Sequence, residues 1–212
     1  MRNLPSNLSD FLYLIQKMGF SYLRGIFFFI SFKFGSSIPF LGRNIKIINS
    51  KKIFFNQYVW LGHNGYLDAC CEESISFGRN VTVRENFSIQ SRSGLNQKGT
   101  SLFIGDNCFF GPFLKIGLGE SIIFGKNCQV GSHCSFNAES HVYFNKSYTS
   151  GKISRKGIKI DDNVWIGDGV IILDGVSIGK NSVIGAGSVV TKSIPSNTLS
   201  FGVPAKVIRK IG

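Results

Sequence analysis

Acidic side chains are scarce in this chain: 12 Asp and Glu stand against 24 Lys and Arg, for a formal net charge of +12. A balance so basic suits nucleic acid, anionic lipid or an acidic small molecule. No basic and aromatic interleaving runs along the repeats described below, so no nucleic-acid partner is expected. Proline is sparse, at 5 residues, and the 5 cysteines are odd in number, which argues against a disulfide framework and for a reducing compartment. No cysteine spacing resembles a zinc knuckle, and no metal is expected. Apolar runs are short. The longest in the N-terminal region, GIFFFISF, is well below the roughly 20 residues that span a bilayer. No small-residue cleavage site follows it, so no signal peptide is expected.

Glycine is plentiful, at 25 of 212 residues, in a chain whose 43% hydrophobic content is normal for one packed domain. Glycines spread along a chain suggest repeated tight corners at left-handed backbone angles. Residues 160–195 show where the repetition lies. Ile160, Ile166, Ile172, Ile178, Ile184 and Val190 fall at a strict period of six, with Gly167, Gly179 and Gly185 directly behind three of them. Such a period fits neither a helix nor a simple strand; three short strands per turn give a parallel β-helix of hexapeptide repeats.

Extending the register back gives coils starting near residues 55, 77, 104, 124, 160 and 178. Six coils at about 4.8 Å make a prism roughly 25 to 30 Å long. Each inward aliphatic stacks on its counterpart in the next coil, so stability is shared between neighbours. Cys108, Cys128 and Cys134 sit four residues after repeat aliphatics, a phase that predicts small interior residues. The expected organisation is an N-terminal helical, basic segment over residues 1–50, a β-helix over 51–195 and a capping tail over 196–212. Helix and tail are candidate covers for the open strand edges.

Residues 1–55 carry eight Lys and Arg against Asp10 alone. Within them, Leu8, Phe11, Ile15, Met18, Tyr22, Ile26 and Phe29 have helical spacing behind a candidate N-cap, Ser9. A helix this apolar with basic residues on one stripe suits peripheral membrane association through residues 8–34, or burial against the body or a neighbouring subunit. Two segments break the six-residue register. The shorter is residues 95–103; the longer, residues 142–159, carries Lys146, Lys152, Arg155, Lys156 and Lys159. Long excursions from a compact repeat are often functional.

The run DNVWIGDGVIILDGVSIGKNSVIGAGSVVTKSIP, with the tail GVPAKVIRKI, resembles the hexapeptide-repeat acyltransferases. The likeness is to the branch of galactoside, maltose and xenobiotic acetyltransferases and surface-polysaccharide O-acetyltransferases, and it covers roughly residues 104–210. It implies an all-β fold of left-handed hand, a homotrimer with sites between subunits, and acetyl-coenzyme A as donor. By the same resemblance His141, in VGSHCSFNAESH, is the catalytic base. A sugar hydroxyl is a poor nucleophile until a base takes its proton, and an imidazole with a pKa near 6.5 suits that task. Glu139 is either a partner that orients the ring or a solvated loop residue.

For the donor, the positions matching the family are Trp165, Asp168, Ala186, Thr191, Lys192, Lys206 and Arg209, with the three cations suited to phosphates. The backbone near Gly167 and Asp168 is a candidate oxyanion donor. The Asn and Asp that hold sugar hydroxyls in the galactoside branch correspond to Gly111 and Gly119 here, with Glu120 adjacent. The expected acceptor is therefore not a simple galactoside but a carbohydrate of a surface polysaccharide, or a precursor at the cytoplasmic face of a membrane. The expected activity is O-acetyl transfer; N-acetyl transfer to an amino sugar is the alternative. A zinc hydratase of the carbonic anhydrase type would draw on His63, His133 and His141.

Overall fold

The computed structural model describes residues 20–32, 37–94, 96–141 and 153–211. The chain winds through three parallel sheets that form the faces of a prism. The first face stacks Phe40–Leu41, Trp60–Leu61, Thr82–Val83, Phe109–Phe110, Gln129–Val130, Trp165–Ile166, Val183–Ile184 and Thr198–Gly202. Each coil then enters the second face, from Lys46–Ile48 to Val189–Val190, and the third, from Ile53–Phe55 to Ser177–Ile178. The strands are two or three residues long over most of the prism because each must turn a corner after presenting one or two apolar side chains inward. Leu61, Leu67, Phe110, Ile116, Phe124, Ile166 and Ile172 are all buried and form one continuous core.

The step from the first face to the second is constant: Leu41 to Ile47, Val130 to Phe136 and Ile184 to Val190 are each six residues. The step from third to first is constant too, as in Phe55 to Leu61 and Ile160 to Ile166. Only the step from second to third varies, from six residues between Ile172 and Ile178 to twenty-four between Phe136 and Ile160. Both excursions leave the prism at this one corner.

The glycines behind the aliphatics do a different job from the one expected. Left-handed angles are not recorded for them; a Cβ on Gly111 would lie 2.7 Å from the Gly131 backbone carbon, and one on Gly131 2.7 Å from the Asp168 nitrogen. They permit close approach of successive coils. The left-handed corner residues are mostly asparagines, whose short side chains tolerate that conformation. Asn80, Asn107, Asn127, Asn163, Asn181 and Asn197 all have φ between 56° and 60°. Each amide in this column donates to the next, at 3.0, 3.1, 3.0, 3.2 and 2.9 Å.

Strand pairing begins earlier than residue 51. Phe40–Leu41 pairs with Trp60–Leu61, and Lys46–Ile48 with Tyr66–Asp68. The tail also joins the prism: Thr198–Gly202 extends the first face, and Ala205–Lys210 folds back on it antiparallel. At the other end the helix α1, Ser21–Phe32, lies against the first coil. Gly25 packs on the Pro39 carbonyl, Phe28 enters the core, and Arg24 Nε donates to Leu41 O and Gly42 O at 2.8 and 3.1 Å. The predicted helical residues Leu8 to Met18 lie outside the described residues. Among those described, no helix is long and apolar enough to cross a membrane.

Candidate functional site

His141 stands exposed on the short strand Ser140–His141, where the long excursion begins. It pairs in antiparallel register with Ile153, on the returning strand Ile153–Ser154. Glu139 is not the solvated loop residue considered above. Its carboxylate accepts from Arg155 Nε at 2.9 Å and lies 2.7 Å from Nη2, with side-chain exposures of 15% and 25%. Arg155 Nη1 also donates to Lys98 O, at 3.0 Å, in the shorter excursion. One guanidinium therefore ties two excursions together beside His141. Lys146 and Lys152 lie outside the described residues, while Lys159 pairs with Asp161 at 3.0 Å.

Between the two excursions lies the corner of Gly119 and Glu120. A Cβ on Gly119 would strike Ala138 O, so the backbone there approaches the foot of the long excursion closely. The Thr100 hydroxyl, then the Ser121 amide, and less strongly Arg155, hold the Glu120 carboxyl below its ordinary range. Glu120 is thus an ionised, hydrogen-bonded carboxylate at the same corner of the prism as the exposed His141.

Five of the predicted donor residues gather elsewhere, on the first face and its corner with the second. Trp165 is 58% exposed and lies in register with Gln129, Val183, Leu199 and Arg209 in one outward row. Lys206 is exposed opposite Phe201 on the final hairpin, and Ala186 is exposed one coil beyond Gly167. Asp168 has a structural task that the sequence reading did not assign. Its Oδ1 accepts from Ser132 N at 2.6 Å and from Ser132 Oγ at 2.9 Å, and these bonds hold the carboxyl below its ordinary range. Asp106 and Asp162 accept in the same way from Arg79 N and Lys126 N, at 2.8 and 2.6 Å, each bonding one coil to the next. Of the two backbone positions considered as oxyanion donors, the Gly167 amide already donates to Ile184 O at 2.8 Å.

Thr191 and Lys192 are exposed at the second-to-third corner, the one that carries His141. The candidate residues thus form two sets at different corners of the prism. His141, Thr191 and Lys192 make one; Trp165, Asp168, Ala186, Lys206 and Arg209 make the other.

The three histidines do not converge. His63 Nδ1 accepts from the Arg43 amide at 2.8 Å, and His133, with φ of 56°, stacks flat on Phe113 at 4.5 Å between ring centres. Both lie at the first-to-second corner, away from His141. Among the described residues no group of three His, Cys, Asp or Glu is placed to hold a metal ion. Cys108, Cys128 and Cys134 are buried as predicted, and burial pushes the Cys134 thiol up.

Comparison with known proteins bears on the family and the fold. The pattern of the family described as "Bacterial transferase hexapeptide (six repeats)" matches residues 157–192. The chain is 31% identical over 146 residues to a protein of Escherichia coli strain K12 named as a lipopolysaccharide biosynthesis O-acetyl transferase, WbbJ, covering 65% of this chain and 72% of that one. It is 39% identical over 113 residues to the galactoside O-acetyltransferase of the same organism, covering 53% and 56%. The chain spans about half the length of several such curated relatives. Among solved structures, a hexapeptide-repeat containing acetyltransferase of Vibrio cholerae matches with a TM-score of 0.50 and 28% identity, over 64% of this chain and 73% of that one. That protein has also been solved with acetyl coenzyme A. The fold is accordingly the left-handed parallel β-helix of these transferases.

Proposed function

Because the chain belongs to the family of bacterial hexapeptide-repeat transferases, we propose that it moves an acetyl group from acetyl-coenzyme A to a hydroxyl of a surface polysaccharide or its precursor. The observation that carries this reading is the exposed His141 imidazole at the foot of an excursion pinned by Arg155. His141 takes the hydroxyl proton as the oxygen attacks the thioester carbonyl; the tetrahedral intermediate then expels the coenzyme thiolate, which recovers that proton from the imidazolium. Transfer is direct, in a ternary complex, with no covalent acyl-enzyme. Lys192, Lys206 and Arg209 are exposed cations suited to the donor phosphates.

The two-corner arrangement supports a homotrimer. A prism cannot bring two of its own corners together, but the first face of one subunit can lie against the His141 corner of the next, with the donor between them. The acceptor is an acidic or polymeric glycan, or a lipid-linked precursor, handled on the cytoplasmic side of a membrane. What supports this is the basic excursion, together with Gly at the two positions where the galactoside branch holds its sugar.

The test is a screen of glycans with acetyl-coenzyme A, following thiol release and locating the acetyl group by NMR. Thiol release with an alkali-labile ester on one glycan is the expected result. An alkali-resistant amide would place the reaction on an amino sugar instead, and absence of thiol release with every glycan would refute the reading.

A further inference from the structure

The N-terminal end of the prism carries a surface that acetyl transfer does not use. Phe20, Leu23, Phe27 and Ile30 are all exposed, Phe27 by 74%, and their spacing puts them on one stripe along α1. Gly25, Phe28 and Arg24 fix the other sides of the helix against the first coil, so the stripe is left uncovered. Beside it an apolar hollow of about 910 Å³ opens between helix and first coil, lined by Leu23, Phe27, Leu41, Ile47 and Lys51 among others.

Charge distinguishes the occupants. No acidic residue occurs between Asp10 and Asp68. Arg43, Lys46 and Lys51 are exposed on the first coil, and burial together with the nearby Arg43 charge pushes the Arg24 guanidinium down. A second copy laid on this end would oppose cation to cation. An apolar protein surface would leave the cations unmatched. A bilayer with anionic headgroups satisfies both, taking the aromatic stripe at the acyl boundary and the cations at the phosphates.

We propose that the prism docks by this end, α1 flat in the interface, on an anionic lipid bilayer. His141 emerges after the fifth coil, four strand spacings or roughly 19 Å from the first, so docking leaves it clear of the membrane. The proposal does not depend on the acetyl-transfer reading.

Flotation of the full chain with phosphatidylglycerol vesicles, and separately with phosphatidylcholine vesicles, tests it. The chain should float with the first at low salt, far less with the second, and come off as salt screens the headgroups. Phe27→Asp with Ile30→Asp should weaken binding about tenfold or more, while the melting midpoint stays near that of the wild type. Lys46→Glu with Lys51→Glu, which leaves the helix intact, should reduce binding independently. Failure of the wild-type chain to float with phosphatidylglycerol, or flotation unaffected by either pair of changes, overturns the proposal. So does an unbound wild type whose oligomer mass falls in the Phe27→Asp variant, which would assign the face to a second copy.

Discussion

Arg155 Nη2 lies 2.7 Å from Glu139 Oε2, joining residues sixteen apart across the paired strands Ser140–His141 and Ile153–Ser154. The same guanidinium holds the Lys98 carbonyl. Arg155→Ala should therefore cost about 1 to 2 kcal/mol of stability for a partly buried charged pair, read by chemical denaturation. We further expect a several-fold fall in kcat with coenzyme affinity unchanged. Arg155→Lys should restore only part of the loss, because one ammonium nitrogen cannot take the place of the separate guanidinium nitrogens that reach the Glu139 carboxylate and the Lys98 carbonyl.

His141→Ala should lower turnover by about 10²-fold or more, with coenzyme binding by calorimetry close to that of the wild type. Turnover near the wild-type value would remove His141 from the mechanism.

The asparagine column predicts a graded series. Asn127 has φ of 58° and bonds to Asn107 and Asn163. Asn127→Ala keeps a Cβ in the left-handed region and loses both bonds, for a destabilisation of about 1 to 3 kcal/mol. Asn127→Gly should be milder, since it relieves the backbone. Equal midpoints for the two variants in thermal unfolding would contradict this account.

Two glycines distinguish close approach from corner geometry. A Cβ on Gly131 would meet Asp168 N at 2.7 Å, whereas one on Gly117 would meet Asn137 Oδ1 at 3.5 Å, ordinary contact. Gly131→Ala should thus destabilise by about 2 kcal/mol or more and Gly117→Ala by less than about 0.5 kcal/mol, measured by denaturant titration.

Acid should loosen the stack between coils. Asp168, Asp106 and Glu120 are all held below their ordinary values, mainly by hydrogen bonds to the charged form. A depressed carboxyl contributes stability above its unfolded pKa of about 4 and loses it as pH falls through the folded value. Stability should hold from neutrality to about pH 4 and decline below it. Asp168→Asn should flatten part of that decline in pH-dependent unfolding.

The prism was legible because two of its three steps are invariant. Leu61 to Leu67 and Ile160 to Ile166 keep six residues whatever happens at the third corner. The first coil was obscured by its position: Leu41 and Ile47 have a neighbour on one side only, so fewer repeats announce them. Motif matching placed His141 at the foot of the excursion, but it could not place Arg155 on Glu139. The sixteen-residue step between them lies outside the six-residue register, so the sequence carries no period from which a distance could be read. The role of the glycines was misread for a similar reason: composition shows that a side chain is missing, while only the next coil shows what it would have struck.

A chain wound this way can change length safely at only one edge. Along the column from Asn80 to Asn197, one added residue would slide every later rung and turn inward aliphatics toward water. At the edge bearing His141, insertions of unequal size already return the chain to the same rung. Length can thus be added or removed at that edge alone while the frame stays in register.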